Sequence, residues 1–282
     1  MTTQRLLSVI VAAAVALLSA APAPGFQIIW DFSLDTGGFW TPERREVLTL
    51  VEQEFANWTI NTANWQDVWD GPGDIWYLLS NPASIDSVFK PANPQANTLV
   101  VYLGAGEMND AFGRGVPAWV GSLSSNPELT DFFAQFDNAT TYQAFAGTLF
   151  VTTVYPPHLE PDNAPMGRYH LFSTVLRGVG QILGFGTSDA WYHYVDGDGY
   201  FKGPHTLALT GGTGALTDGY GNLDNALDRL MSANTPMGVR YTFSELEYAI
   251  FRDLGYTIIP EANTVWLLLA GAATLLRRRR IS

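Results

Sequence analysis

The sequence predicts an α+β fold, and three observations predict it. Apolar runs rich in β-branched and aromatic residues dominate the first half, as strands require. Helical periodicity with caps marks the second half. No linker, repeat or low-complexity tract interrupts residues 26–259, so they read as one domain. Ile28–Phe32 is a short apolar strand, and Asp35-Thr36-Gly37-Gly38 is a turn. A helix then starts with Thr41 as N-cap, Pro42 at the first position and Glu43 in the first turn. Leu48, Val51, Phe55 and Trp58 form its apolar stripe. Thr98–Leu103 and Ala146–Val154 are buried strands, the Gly-rich stretch Gly104–Gly121 between them reads as loop, and the proline-rich Tyr155–Gly167 is a loop. Tyr169–Leu183 is helical, with Phe172, Val175, Leu176, Val179, Ile182 and Leu183 on its apolar face and Gly184 as its stop. Thr242-Phe243-Ser244-Glu245 reads as a capping box, opening a helix through Leu246, Ala249 and Ile250 that Gly255 ends.

Composition narrows the function. Of 282 residues, 47% are hydrophobic and 15% charged, which excludes a disordered chain. The formal charge of −12 disfavours nucleic acid, whose phosphates repel such a surface. Cysteine is absent, so disulfides, thiolate catalysis and Cys-ligated metals are excluded. Imidazole chemistry is limited to His158, His170, His193 and His205.

Both ends read as addresses. Residues 1–25 have the form of a signal peptide: Arg5, an apolar run Leu6–Leu18, then small residues, with cleavage expected after Gly25. The C-terminal end is tripartite: Pro260-Glu261-Ala262, an apolar stretch 265–276, and the Arg block 277–280. The apolar stretch is short for a free-standing membrane helix, and the arginines would hold its end in the cytoplasm. This order resembles the PEP-CTERM sorting signal of exopolysaccharide-producing bacteria, with Ala262 in place of the second Pro. The resemblance implies export, transient anchoring in the inner membrane through 265–276, and processing near Pro260–Glu261 by an exosortase-type enzyme. It implies a mature protein at the cell surface or in the extracellular matrix, with exopolysaccharide as an associate. Removing both ends takes away five of the 15 basic residues but one of the 27 acidic ones, leaving about −16.

The segment Leu171–Trp191, with Leu183-Gly184-Phe185-Gly186-Thr187-Ser188-Asp189 at its heart, resembles the active-site helix of zincin-type metallopeptidases. Such enzymes place two His at i and i+4 on one helix face to hold Zn²⁺, with a Glu general base beside the first. Met231 in Leu230-Met231-Ser232 matches the family's Met-turn, and Thr242–Tyr256 its closing helix. The resemblance spans most of residues 26–258 and implies a zincin-like domain with an N-terminal twisted sheet and an active-site-type helix near 169–183. Arg177 stands at the first His position, Gly178 at the Glu and Gln181 at the second His. A guanidinium has no lone pair for zinc, glycine has no base, and a neutral amide oxygen suits zinc poorly. The segment 218–223 has no His, and Thr187 fills the alternative third-ligand position. The reading is a pseudo-metallopeptidase without zinc. Gly178 and Gly180 each weaken the helix by about 0.8–1.0 kcal/mol relative to Ala, with no reason legible in the sequence.

The sequence also offers other chemistries. His170, His193 and His205 are the candidate ligands of a rearranged metal-dependent hydrolase. Asp196 and Asp198 are weak calcium candidates, although Leu207 at the twelfth position excludes an EF-hand loop. Arg177 either binds an anion or pairs within the fold. Trp65, Trp69 and Trp76 are candidate stacking platforms of a glycan-binding module, against a core role for most of them. No Ser-His-Asp arrangement or nucleophile elbow is readable.

Overall fold

The computed structural model describes residues 26–59, 75–80, 87–91, 97–108, 112–122, 137–138, 140–219, 221–233 and 237–258. The signal segment, the tail with Pro260, Glu261 and Ala262, and both Trp65 and Trp69 lie outside these residues. Trp76 lies in a described strand, but its side chain is outside the description. Among the described residues no helix is long and apolar enough to cross a membrane.

The main strands are β1 (Gln27–Leu34), β2 (Ile75–Ser80), β3 (Ser87–Pro91), β4 (Thr98–Gly106), β5 (Gly113–Pro117), β6 (Trp119–Ser122) and β7 (Ala146–Thr152). The helices are α1 (Pro42–Glu54), α2 (Leu171–Ile182), α3 (Asp189–Tyr194), α4 (Pro204–Leu209) and α5 (Glu245–Asp253). A four-stranded sheet runs in the order β1–β4–β7–β5. Its first three strands are parallel and β5 is antiparallel at the edge. The arrangement is α+β at this level, with a mixed sheet and helices packed against it.

Side chains alternate across the sheet, as strand geometry requires. Leu99, Val101 and Leu103 of β4, with Leu149 and Val151 of β7, enter the large core shared with α1 and α2. Tyr102 and Ala146 point the other way, into a smaller cluster with Leu79 of β2 and Phe145. That second face is covered by the antiparallel sheet β3–β2–β6. Helix α2 is apolar nearly all round, with nine buried residues, because the sheet, α1 and the C-terminal segments enclose it. Each large aliphatic or aromatic side chain it buries contributes roughly 1.5–3 kcal/mol.

Helix ends follow the punctuation in the sequence. Gly184 has φ +93°, and the N–H groups of Gly184 and Phe185 return to Gln181 O and Gly180 O. Gly255, at φ +101°, closes α5 in the same way, with bonds to Arg252 O and Phe251 O. In both helices the glycine supplies the left-handed residue and satisfies orphan carbonyls. The predicted stripe Leu48, Val51, Phe55 and Trp58 is buried throughout, but α1 ends at Glu54, so Phe55 lies at its C-cap and Trp58 in a short strand rather than on the helix. Trp58 sits edge-on to Phe55 and Phe251, at 4.9 Å each. The pair Trp58–Thr59 forms a short antiparallel ladder with Thr257–Ile258, and Trp58 O accepts the N–H of Phe26 at 3.0 Å.

Three expectations need correction. Gly104–Gly121 is not loop: it contains the end of β4, all of β5 and most of β6. The β5 sequence Gly-Arg-Gly-Val-Pro has poor intrinsic strand preference. Its backbone pairing with β7 and its contact with α2 override that preference. Within the proline-rich loop, Pro157–His158 pairs in parallel with Tyr169–His170, so α2 begins at Leu171. The capping box of α5 is shifted by two residues. Ser244 is the N-cap and Glu247 its partner, rather than Thr242 and Glu245. The shift follows from Glu247, whose carboxylate accepts the buried Met231 N–H and the partly buried Ser244 N–H at once.

Candidate functional site

Helix α2 carries all three positions singled out by the metallopeptidase resemblance, and each side chain or its absence has a structural partner. Arg177 reaches across to the segments after α4. Its Nη2 donates to Asn222 Oδ1 at 2.6 Å and to Ser232 O at 3.2 Å, while its Nε is enclosed without a hydrogen-bond partner. Burial pushes the guanidinium down to about 10, and Arg114 pushes the same way, while Asp218 and Glu247 oppose them. It therefore remains a cation at neutral pH. Asp218 holds Asn222 in turn, accepting its N–H at 3.0 Å and its Nδ2 at 2.8 Å. A single guanidinium thus ties α2 to the loop around Asp218–Asn222 and to the turn at Met231–Ser232.

Gly178 faces the sheet. A Cβ there would collide with Leu149 Cδ1, and a Cβ on Gly115 would collide with the Gly178 carbonyl. These two glycines let the edge strand β5 lie directly on α2. Gln181 completes the contact, since its Oε1 accepts the Gly115 N–H at 2.9 Å. Gly180 faces the opposite side, where an added Cβ would stand 3.1 Å from Met231 Sδ. Both helix glycines therefore have packing reasons that only the tertiary contacts reveal.

Met231 is fully buried, and its N–H donates to Glu247 Oε1 at 2.7 Å. Glu247 Oε2 accepts the Ser244 N–H at 2.7 Å. Burial raises the Glu247 carboxyl, and the hydrogen bonds from Ser244 and Met231 partly offset it. Thr187 donates its hydroxyl to Gln181 O at 2.7 Å, so it caps the end of α2.

The remaining candidates are dispersed. Asp196 Oδ1 accepts the N–H groups of Asp198 and Tyr200, and its Oδ2 pairs with Lys202 at 2.5 Å. This is an Asp-Gly turn closed by a lysine. His193 and His205 are exposed on α3 and α4, whereas His170 is buried at the start of α2 beside His158. Among the described residues no three His, Asp or Glu side chains converge as a metal-binding group.

Sequence reasoning missed Gly115, Asn222, Glu247 and Asp253. Asp253 accepts the N–H groups of His205 and Thr206 and the Thr206 hydroxyl, capping α4 from α5. Glu247 had a legible signal, because Ser244-Glu245-Leu246-Glu247 is itself a capping-box pattern. The other three depend on contacts between distant segments. No protein-family model matches the chain, and comparison with curated proteins and with solved structures gives no match.

Proposed function

We propose that the chain is an exported bacterial surface or matrix protein whose zincin-like domain acts without zinc or catalysis, as a binding or scaffolding module. The carrying observation is the engagement of Arg177 with Asn222 and Ser232, at the position where such an enzyme would bring its first zinc ligand. Zinc needs lone-pair donors, and this position presents N–H donors and a positive charge. Gly178, at the position of the general base, is packed against Gly115 and Leu149. The charge cluster of Arg177 with Asp218 and Glu247 gives the fold an internal cation that joins the same segments a metal would join. In this reading the signal segment exports the chain. An exosortase-type enzyme processes the end near Pro260–Glu261, and exopolysaccharide is the surrounding partner.

The test is metal content of the purified full-length chain after zinc and calcium loading, with a chelator-treated control, beside a peptidase screen. Below about 0.1 zinc per chain and no chelator-sensitive hydrolysis agree with the proposal. Near one zinc per chain overturns it.

A further inference from the structure

The proline-rich excursion between β7 and α2 is fastened at two places. At its base, His158 and His170 are register partners of the parallel pair Pro157–His158 and Tyr169–His170. Their rings meet edge-on with centroids 5.7 Å apart, and the residues are only 9% and 3% exposed. Farther out, Ala164 N–H donates to Gly238 O at 2.6 Å, and Asn163 Oδ1 accepts the Arg240 N–H at 3.2 Å. Between these fastenings Glu160, Pro161, Asp162 and Asn163 are exposed, as are Pro165–Arg168. The excursion's apolar anchors, Tyr155 and Leu159, are only partly buried against the core, and Met166 is fully exposed.

We propose that the His158–His170 pair is an acid-sensitive clasp, and that protonation of His170 releases residues 155–168 from the domain. The surroundings of His170 are matched to the neutral imidazole. Both ring nitrogens are enclosed without a hydrogen-bond partner of standard geometry. From the segment after Met237, Arg240 lies over Phe172 at 4.3 Å, and Phe172 touches the His170 ring. From the excursion come His158, the backbone of Glu160 and Asp162, and the Asp162 carboxylate. That carboxylate is taken by His158 Nε2 at 2.8 Å, and its side chain is 76% exposed, so water screens it. From below comes the N-terminal end of α2, for which His170 is the N-cap residue without a side-chain cap bond. Helix N-termini disfavour cations. A proton on His170 therefore meets a buried space, a guanidinium, a second imidazole and a positive helix end, opposed by the backbone carbonyls of Glu160 and Asp162.

The direction of the pH effect follows. Burial first, then Arg240 and His158, hold the closed His170 imidazole below its ordinary value, against a smaller opposing pull from the backbone of Glu160 and Asp162. Once the excursion opens, His170 is solvated and titrates near the ordinary value of about 6.5. Above that pH neither form binds the proton, and the clasp carries no penalty. As pH falls below it, the open form takes up a proton that the closed form refuses. Within that window each pH unit shifts the ratio toward the open form by up to about tenfold.

The test is amide hydrogen exchange of the full-length chain at pH 7.5 and 5.0, corrected for intrinsic exchange, with the His170→Phe and His170→Asn variants beside it. In the wild type, opening of peptides within 155–170 should rise on the order of tenfold on acidification, while β7 peptides keep their protection. Either variant, if folded, should lose that dependence. An NMR titration of the wild-type imidazole, which needs no variant, should place His170 below its ordinary value and in step with the opening. Protection independent of pH in the wild type, an unchanged pH dependence in a folded variant, or a His170 titration at or above the ordinary value overturns the proposal.

Discussion

Gly115 of the edge strand lies so close to Gly178 of the central helix that a Cβ on Gly115 would fall on the Gly178 carbonyl, while a Cβ on Gly178 would meet Leu149. The contact joins a strand that the sequence disguises to a helix glycine that the sequence leaves unexplained. Gln181 locks the register by accepting the Gly115 N–H.

Gly115→Ala should therefore destabilise the domain by about 2–3 kcal/mol, since its methyl group meets backbone rather than a movable side chain. Gly197→Ala, where nothing lies within 4 Å, is the control and should stay within about 0.5 kcal/mol of wild type. Urea denaturation of the three proteins measures both. Equal midpoints for Gly115→Ala and wild type would refute the close approach.

Arg177→Ala should cost about 3 kcal/mol, because it leaves Asn222 and Ser232 without their donor and Asp218 and Glu247 without their buried cation. Arg177→Lys keeps the charge but loses the planar fork, so its loss should be intermediate. The midpoint order wild type, Lys, Ala in urea checks this; a Lys variant as stable as wild type would show that charge alone suffices.

Glu247 gives a pH signature. Its carboxyl is raised in the folded state, chiefly by burial, so the folded chain binds a proton before the unfolded chain does. Its contribution is fully present below the unfolded value and is lost as pH rises through the folded one. The stability difference between wild type and Glu247→Gln should move in the wild type's favour on acidification toward the unfolded carboxyl value of about 4.3. Paired denaturation curves at pH 7 and pH 4.5 measure it, and a difference constant with pH would count against the raised carboxyl.

Asp253→Ala should free the start of α4. Three donors lose one carboxylate, a loss of about 2 kcal/mol. Hydrogen exchange at residues 203–210 should quicken more than at β4, and uniform change in both regions would speak against a local cap.

Much of the scaffold was legible where local pattern and tertiary fate agree. The runs in β4 and β7 are β-branched because both faces are buried, and Gly184 and Gly255 stop helices by local geometry. Legibility failed where a segment's state is decided by a distant partner. Gly113–Pro117 becomes a strand because β7 offers it a ladder. Gly178 and Gly180 look like helix defects until Leu149, Gly115 and Met231 are placed beside them. Arg177 stood out in the sequence only against the metallopeptidase resemblance, and its partner Asn222 lies 45 residues away with no periodicity to connect them.

Trp58 also decides how the domain would respond to tension. It is hydrogen-bonded to Phe26 at the entry of the described fold and laddered to Ile258 at its exit. A pull applied between those two points would load these few bonds first and open them one after another, as a zipper yields. The parallel strands β1, β4 and β7 would be spared until that fastening had given way. A domain held by both ends would thus hang as a pendant, lengthening at its attachment before its core feels the force.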